Sequence, residues 1–171
     1  MKPIFNLFWQ ICLLRQSPAH VPTHGWFVVL VVLANLLCSV LISATLDSEL
    51  ALLRAITAIV VGQTTTAALI YLALALNNRG TRFLTTLTAI FGCDLIMTAC
   101  YALVMPLSGL WGETAGLVAL GAYVVWSVAV AGFILHRALD APLAVGIGVA
   151  MAIALMSGTM GQLAIGAPAS T

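Results

Sequence analysis

Long apolar runs separated by short polar islands set the pattern of this chain. The runs are Trp26–Leu46, Ala55–Leu76, Phe83–Pro106, Thr114–Leu135 and Leu143–Ile165, each bounded by charge, Pro or Gly. About 20 helical residues cross a hydrocarbon core of roughly 30 Å. Five runs of that length predict an all-α, polytopic membrane protein with five transmembrane helices.

Ahead of the first run, residues 3–16 carry another pattern. Lys2, Asn6 and Gln10 fall on one helical face, while Phe5, Phe8, Trp9, Cys12 and Leu13 cover the rest. About a dozen residues are too few to span, so this segment reads as a short interfacial amphipathic helix on the inner leaflet, with Phe5, Phe8 and Trp9 inserted. A secretory signal is the rival reading, with Ser17-Pro18-Ala19 as a small-x-small site. Asn6 and Gln10 interrupt its apolar region and Pro18 falls inside the cleavage box. Pro18 and Pro22 stop the helix, so residues 1–25 form a cytoplasmic interfacial helix and a Pro-containing connector. Residues 26–165 form the five-helix transmembrane domain, and residues 166–171 a short outer tail.

The connections are short. Asp47-Ser48-Glu49 is an outer turn, Asn77–Arg82 an inner loop with turn chemistry, Pro106–Gly112 an outer turn and His136–Pro142 an inner loop.

Composition strengthens the membrane reading and adds an orientation. The hydrophobic fraction is 63% and the mean hydropathy +1.16, against about 45–50% apolar residues in soluble domains. Six Lys and Arg stand against five Asp and Glu, a balance that argues against a nucleic-acid partner. With the N-terminus inside, the inner side carries Lys2, Arg15, Arg79, Arg82 and Arg137, and the outer side only Arg54. Basic residues favour the cytoplasmic side, so the N-terminus is expected inside and Thr171 outside, in a membrane of bacterial inner (plasma) type.

The candidate chemistry lies at mid-depth. Asp94 is the one ionisable side chain deep in a run, and no Lys, Arg or His lies at its level. A carboxyl group there costs several kcal/mol against lipid, so it must face protein or water and either hold its proton or meet hydrogen-bond donors. Depth counting brings Asn35, Gln63, Thr64 and Thr65 to the same layer as Asp94, with Thr66 and Tyr123 to Ser127 close by. These residues form a candidate intramembrane polar site. In the last run, Gly146, Ala150, Ala154 and Gly158 recur every fourth residue, a small-residue row expected to pack on a neighbouring helix. Gly112 and Gly116 repeat the pattern in brief.

The remaining residue types exclude chemistry more than they supply it. Cys12, Cys38, Cys93 and Cys100 read as small buried hydrophobes, since Cys93 and Cys100 stand about 10 Å apart along one face, too far to share a metal. A serine hydrolase needs a base beside its nucleophile, an aspartyl dyad needs a second acid, and a zinc protease needs paired ligands; none is found within the runs. No phosphate-binding glycine loop occurs. A non-enzymatic protein without cofactor or metal is therefore expected.

The opening stretch Phe8-Trp9-Gln10-Ile11-Cys12-Leu13-Leu14-Arg15-Gln16-Ser17-Pro18 puts an aromatic-led helix before a basic residue and a proline. With five helices following, this layout resembles the YIP (Ypt-interacting protein) membrane family and its short bacterial-type relatives. In eukaryotic members the resemblance implies a role in membrane traffic through small GTPases. In bacterial relatives it implies an inner-membrane protein, and it carries over no functional residues. The sequence thus leads to a scaffold or accessory subunit that meets the lipid bilayer and a protein partner, or further copies of itself. A small proton-linked carrier or permease component using Asp94 within an oligomer is the alternative.

Overall fold

A computed structural model describes residues 8–14, 24–46, 52–111 and 113–165. Phe5, Asn6, the connector at residues 15–23, the turn Asp47-Ser48-Glu49 and the tail at residues 166–171 lie outside the described residues. So does Gly112.

Among the described residues there are five long helices: α2 (Gly25–Leu46), α3 (Leu52–Leu76), α4 (Phe83–Trp111), α5 (Glu113–Leu139) and α6 (Leu143–Ile165). All five are long and apolar enough to cross a membrane. A short N-terminal helix, α1, precedes them and is described over residues 8–12.

Two boundaries differ from the sequence reading. α4 runs on through Pro106 to Trp111, where a turn was expected. Membrane helices tolerate an interior Pro more readily than soluble ones do. α5 runs three residues past His136, because His136 Nδ1 and the main-chain amide of Ala141 close the helix end. Ala141 N–H donates to His136 O at 3.2 Å, and the ring donates to Ala141 O.

The helices pack as a ring. α2 lies against α4, α4 against α5, α5 against α6, α6 against α3, and α3 closes on α2. α2 shows how each helix is divided between interior and lipid. Phe27, Val31 and Asn35 recur every fourth residue and are buried, whereas Val29, Leu33, Leu37 and Leu41 are 57–63% exposed. An apolar stripe left outside is stable only in lipid, where leaving it uncovered costs nothing.

Packing is tightest at the end that carries Arg79, Arg82 and Arg137, here called the basic end. Ile70 and Leu74 of α3, Ile134 and Leu135 of α5 are at most 1% exposed there. A Cβ built on Gly146 would stand 2.4 Å from Gly132 O and 2.7 Å from His136 N, so only glycine lets α6 cross α5 this closely. A Cβ on Gly132 would stand 2.9 Å from Ile147 Cα. At the surface of this end, Asp140 pairs with Arg79 and, at 3.3 Å, with Arg82. Arg82 also donates to the carbonyls of Arg137 and Ala138 at 3.3 Å, and so clips the α3–α4 connection to the end of α5.

The small-residue row of α6 divides along its length. Gly146 and Ala150 are buried, as the row predicts, but Ala154 and Gly158 are exposed, and a Cβ on Gly158 would meet nothing within 4 Å. The correction has a geometric cause. Residues four apart advance 400°, so the row drifts by about 40° per step around the helix. Gly161 takes over the contact with α3, its Cβ position lying 3.1 Å from Ala58 O.

The described part of α1 departs from the expected insertion into lipid. Phe8 is 6% exposed: its ring stacks on Phe27, with centroids 6.4 Å apart, and covers Gly92. Cys12 Sγ lies 3.8 Å from Cys93 O, and Cys93 Sγ 3.9 Å from Phe8 O. Cys93 stands ten residues into α4, about 15 Å along its axis. α1 therefore docks against the middle of α4, and Phe8 inserts into protein. Trp9 remains 41% exposed.

Candidate functional site

Each of the five long helices sends a polar side chain toward the centre of the ring. They surround a cavity of about 310 Å³ lined by Asn35 and Ser39 of α2, Gln63 and Thr66 of α3, Asp94 of α4, Ser127 of α5 and Ser157 of α6. Apolar side chains fill in between, among them Ile59, Ile70, Ile90, Val128 and Ile153.

Asp94 anchors the arrangement. Asn35 Nδ2 donates to Asp94 Oδ2 at 2.9 Å and to the main-chain oxygen of Phe91 at 3.2 Å. Gln63 Nε2 in turn donates to Asn35 Oδ1 at 2.6 Å. From the other side, the Tyr123 hydroxyl donates to Asp94 Oδ1 over a long 3.4 Å, and Thr98 shares the Tyr123 oxygen at 3.0 Å. Donors thus converge on one carboxyl group from α2 and α5. Among the described residues every buried side-chain nitrogen and oxygen has a partner. That is what a hydrocarbon surround demands, since an unpaired polar group there costs several kcal/mol.

Asn35 is 1% exposed, yet Asp94 keeps accessible surface although helices surround it. That surface belongs to the cavity wall. The carboxyl group is therefore reachable from the cavity.

The depth count from sequence brought together Asn35, Gln63 and Asp94, and the structure joins them in one hydrogen-bonded chain. Thr64 does not join. It is exposed, and its hydroxyl donates to Val60 O in its own helix at 2.7 Å. Thr65 is half-buried and lies outside the cavity lining. Successive helical residues point about 100° apart, so a position next to Gln63 matches it in height and differs in direction. Thr66 lines the cavity instead. Ser39, Ser157 and Thr98 escaped the depth count because each lies about a turn from the midpoint of its apolar run. Ser39 had one available signal, its place four residues after Asn35 on the same face.

No family model, curated protein or solved structure matches this chain.

A second hollow, of about 360 Å³, lies between α1, α4 and α5 and is lined by Trp9, Leu13, Cys100, Tyr101, Val104 and Trp126 among others. Its wall is nearly all apolar.

Proposed function

We propose that this integral membrane protein binds a small solute within its ring of helices, as a carrier or permease component does, with Asp94 as the binding group. The observation that carries this reading is the cavity of about 310 Å³ around the one acid found in the spans among the described residues. Binding sites of that size, mostly apolar with a few converging polar groups, are the usual form of small-molecule sites. A purely structural polar cluster would close on itself, whereas here the acid borders open space. A scaffold makes no use of that space. Side chains from all five long helices of one chain line the cavity, which supports a site within a single copy. Asp94 is the one carboxyl group among the described lining residues, and it can trade a proton for a ligand, which makes proton linkage the natural coupling.

A panel of small amines, acids, alcohols and inorganic ions, scored by the thermal midpoint of the detergent-purified protein, tests the reading. At least one solute should raise the midpoint of the wild type and fail to raise that of Asp94→Asn, which keeps the shape and should stay folded. Asp94→Leu should lose about 1–3 kcal/mol of stability, because Asn35 is left with a buried N–H unpaired. A panel without a single hit on the wild type would return the protein to the scaffold reading.

The same proposal sets the basic end on the cytoplasmic side, because Arg79, Arg82 and Arg137 cluster there. Asn78→Cys should then be labelled by a membrane-impermeant thiol reagent only in inside-out vesicles. Labelling only from the outer face would invert the topology.

A further inference from the structure

The cavity has spent its donors and kept its acceptors. Ser39 donates to Asn35 O, Thr66 to Gly62 O, Ser127 to Val124 O and Ser157 to Ala154 O, all within their own helices at 2.9–3.2 Å. Both amide hydrogens of Asn35 are committed, to Phe91 O and Asp94 Oδ2. A hydroxyl whose hydrogen is engaged offers only lone pairs, and a carboxylate offers nothing else. Of the described polar side chains on the wall, only Gln63 retains an N–H without a partner, its other one being given to Asn35. A ligand that enters therefore meets several oxygen acceptors and almost no donors.

Such a wall selects for donors and positive charge and disfavours anions, which would face the Asp94 carboxyl with a single Gln63 N–H to bind them. Size narrows the class. A bare metal ion sits within about 2.6 Å of its oxygen ligands and would leave most of 310 Å³ empty. Ile59, Ile70, Ile90, Val128 and Ile153 supply the rest of the surface, and they fit a hydrocarbon body. We infer that the ligand is an amphiphilic organic monocation, an ammonium group on a short apolar body, whose three N–H groups meet Asp94 and one or two of the hydroxyl oxygens that Ser39, Thr66, Ser127 and Ser157 offer along the wall.

This inference rests on the binding reading above and specifies its ligand. Its test uses 2-phenylethylammonium as probe, with 2-phenylethanol, phenylacetate and sodium chloride as matched controls, on the purified full-length chain by isothermal titration calorimetry. The ammonium should bind the wild type, at least about tenfold more tightly than 2-phenylethanol, since a charge-assisted hydrogen bond is worth a factor of that order. Phenylacetate and sodium should show no heat of binding at the same concentration. Asp94→Asn should lose at least about tenfold in affinity for the ammonium.

The comparison among the four solutes on the wild type stands without any variant, so a poorly folding Asp94→Asn leaves the test intact. Binding of the alcohol or the acetate as tightly as the ammonium would overturn the ligand class and leave the binding reading standing. Saturable sodium binding that depends on Asp94 would replace the organic cation by an inorganic one. If no solute binds here and none from the wider panel does, the binding reading fails along with the ligand class.

Discussion

The two ends of the bundle are built differently. At the basic end, Phe27, Val28, Leu74, Leu87, Ile134, Leu135 and Leu139 are buried, two glycines let α5 and α6 touch, and an aspartate with two arginines ties the connections together. Toward the opposite end the buried positions are small, Ala55 and Gly161, while Leu53, Leu103, Leu117, Val118 and Leu163 are 62–75% exposed. The cavity lies between. Ile70, Ile90 and Leu135 form its wall nearest the basic end, and Ser39, Ile59 and Ser157 its wall nearest the other. A chain with no hydrophobic drive between helices packs only where shape allows it. Here small residues concentrate that close packing at one end, and the space they leave at mid-height becomes the site.

One substitution made twice in α6 is the sharpest way to break this comparison. Gly146→Ala forces a methyl group against main-chain atoms at 2.4 and 2.7 Å and should destabilise by about 3 kcal/mol, the upper part of the range for overpacking. Gly158→Ala meets open space and should stabilise by roughly 0.5–1 kcal/mol, the helix-propensity difference. Thermal or denaturant unfolding in detergent reads both. The same sign for both would show that the two ends pack alike.

Ala150 and Ala154 sharpen the contrast over a single turn. Ala150→Leu should cost about 1–3 kcal/mol because the site is 4% exposed. Ala154 has accessible surface and lines the cavity, so Ala154→Leu has room for its side chain and should stay within about 0.5 kcal/mol. Equal losses would mean that Ala154 is a packing position after all.

The smallest effect concerns the clamp. Desolvation works against the Asp140 carboxylate, but the hydrogen bonds and charges of Arg82 and Arg79 together prevail and hold the carboxyl group below its ordinary value. A group lowered in the folded state stabilises above its unfolded value, about 3.9 for aspartate, and loses that contribution as pH falls through the lowered one. Asp140→Asn should therefore melt slightly below the wild type at neutral pH, and the gap should close in acid. A gap of constant size from pH 7 to pH 3 would show that the carboxylate plays no part in holding the connections.

How much of this was readable in advance follows from the kind of signal each feature leaves. Membrane spans are written along one dimension, as stretches of about 20 apolar residues, and all five appear where the runs are. Depth is written the same way, and so Asn35, Gln63 and Asp94 could be matched by counting. Direction around the helix is not, because helices apolar on every side carry no polar face to show which way is inward. Thr64 and Gly158 were misjudged for that reason: both sit at plausible heights on the outward side. The order of helices in the ring leaves no trace in hydropathy either. Nor does the seat of Phe8 over Gly92, which joins residues more than eighty positions apart.

That seat also sets an order of assembly. α1 is synthesised before α4, but the glycine gap and the Cys93 carbonyl that receive it do not exist until the ribosome has added about 80 more residues. At about 5–20 residues per second, the wait is roughly 4–16 s. During that interval Phe8 has at most Phe27 of α2 to stack on, and Ile11 and Cys12 lack the α4 surface, so these apolar side chains must rest in lipid or against whatever insertion machinery holds the chain. The element made first in the described chain is thus seated late, over a finished α4, and its arrival buries Gly92 and Cys93 at the level of Asp94.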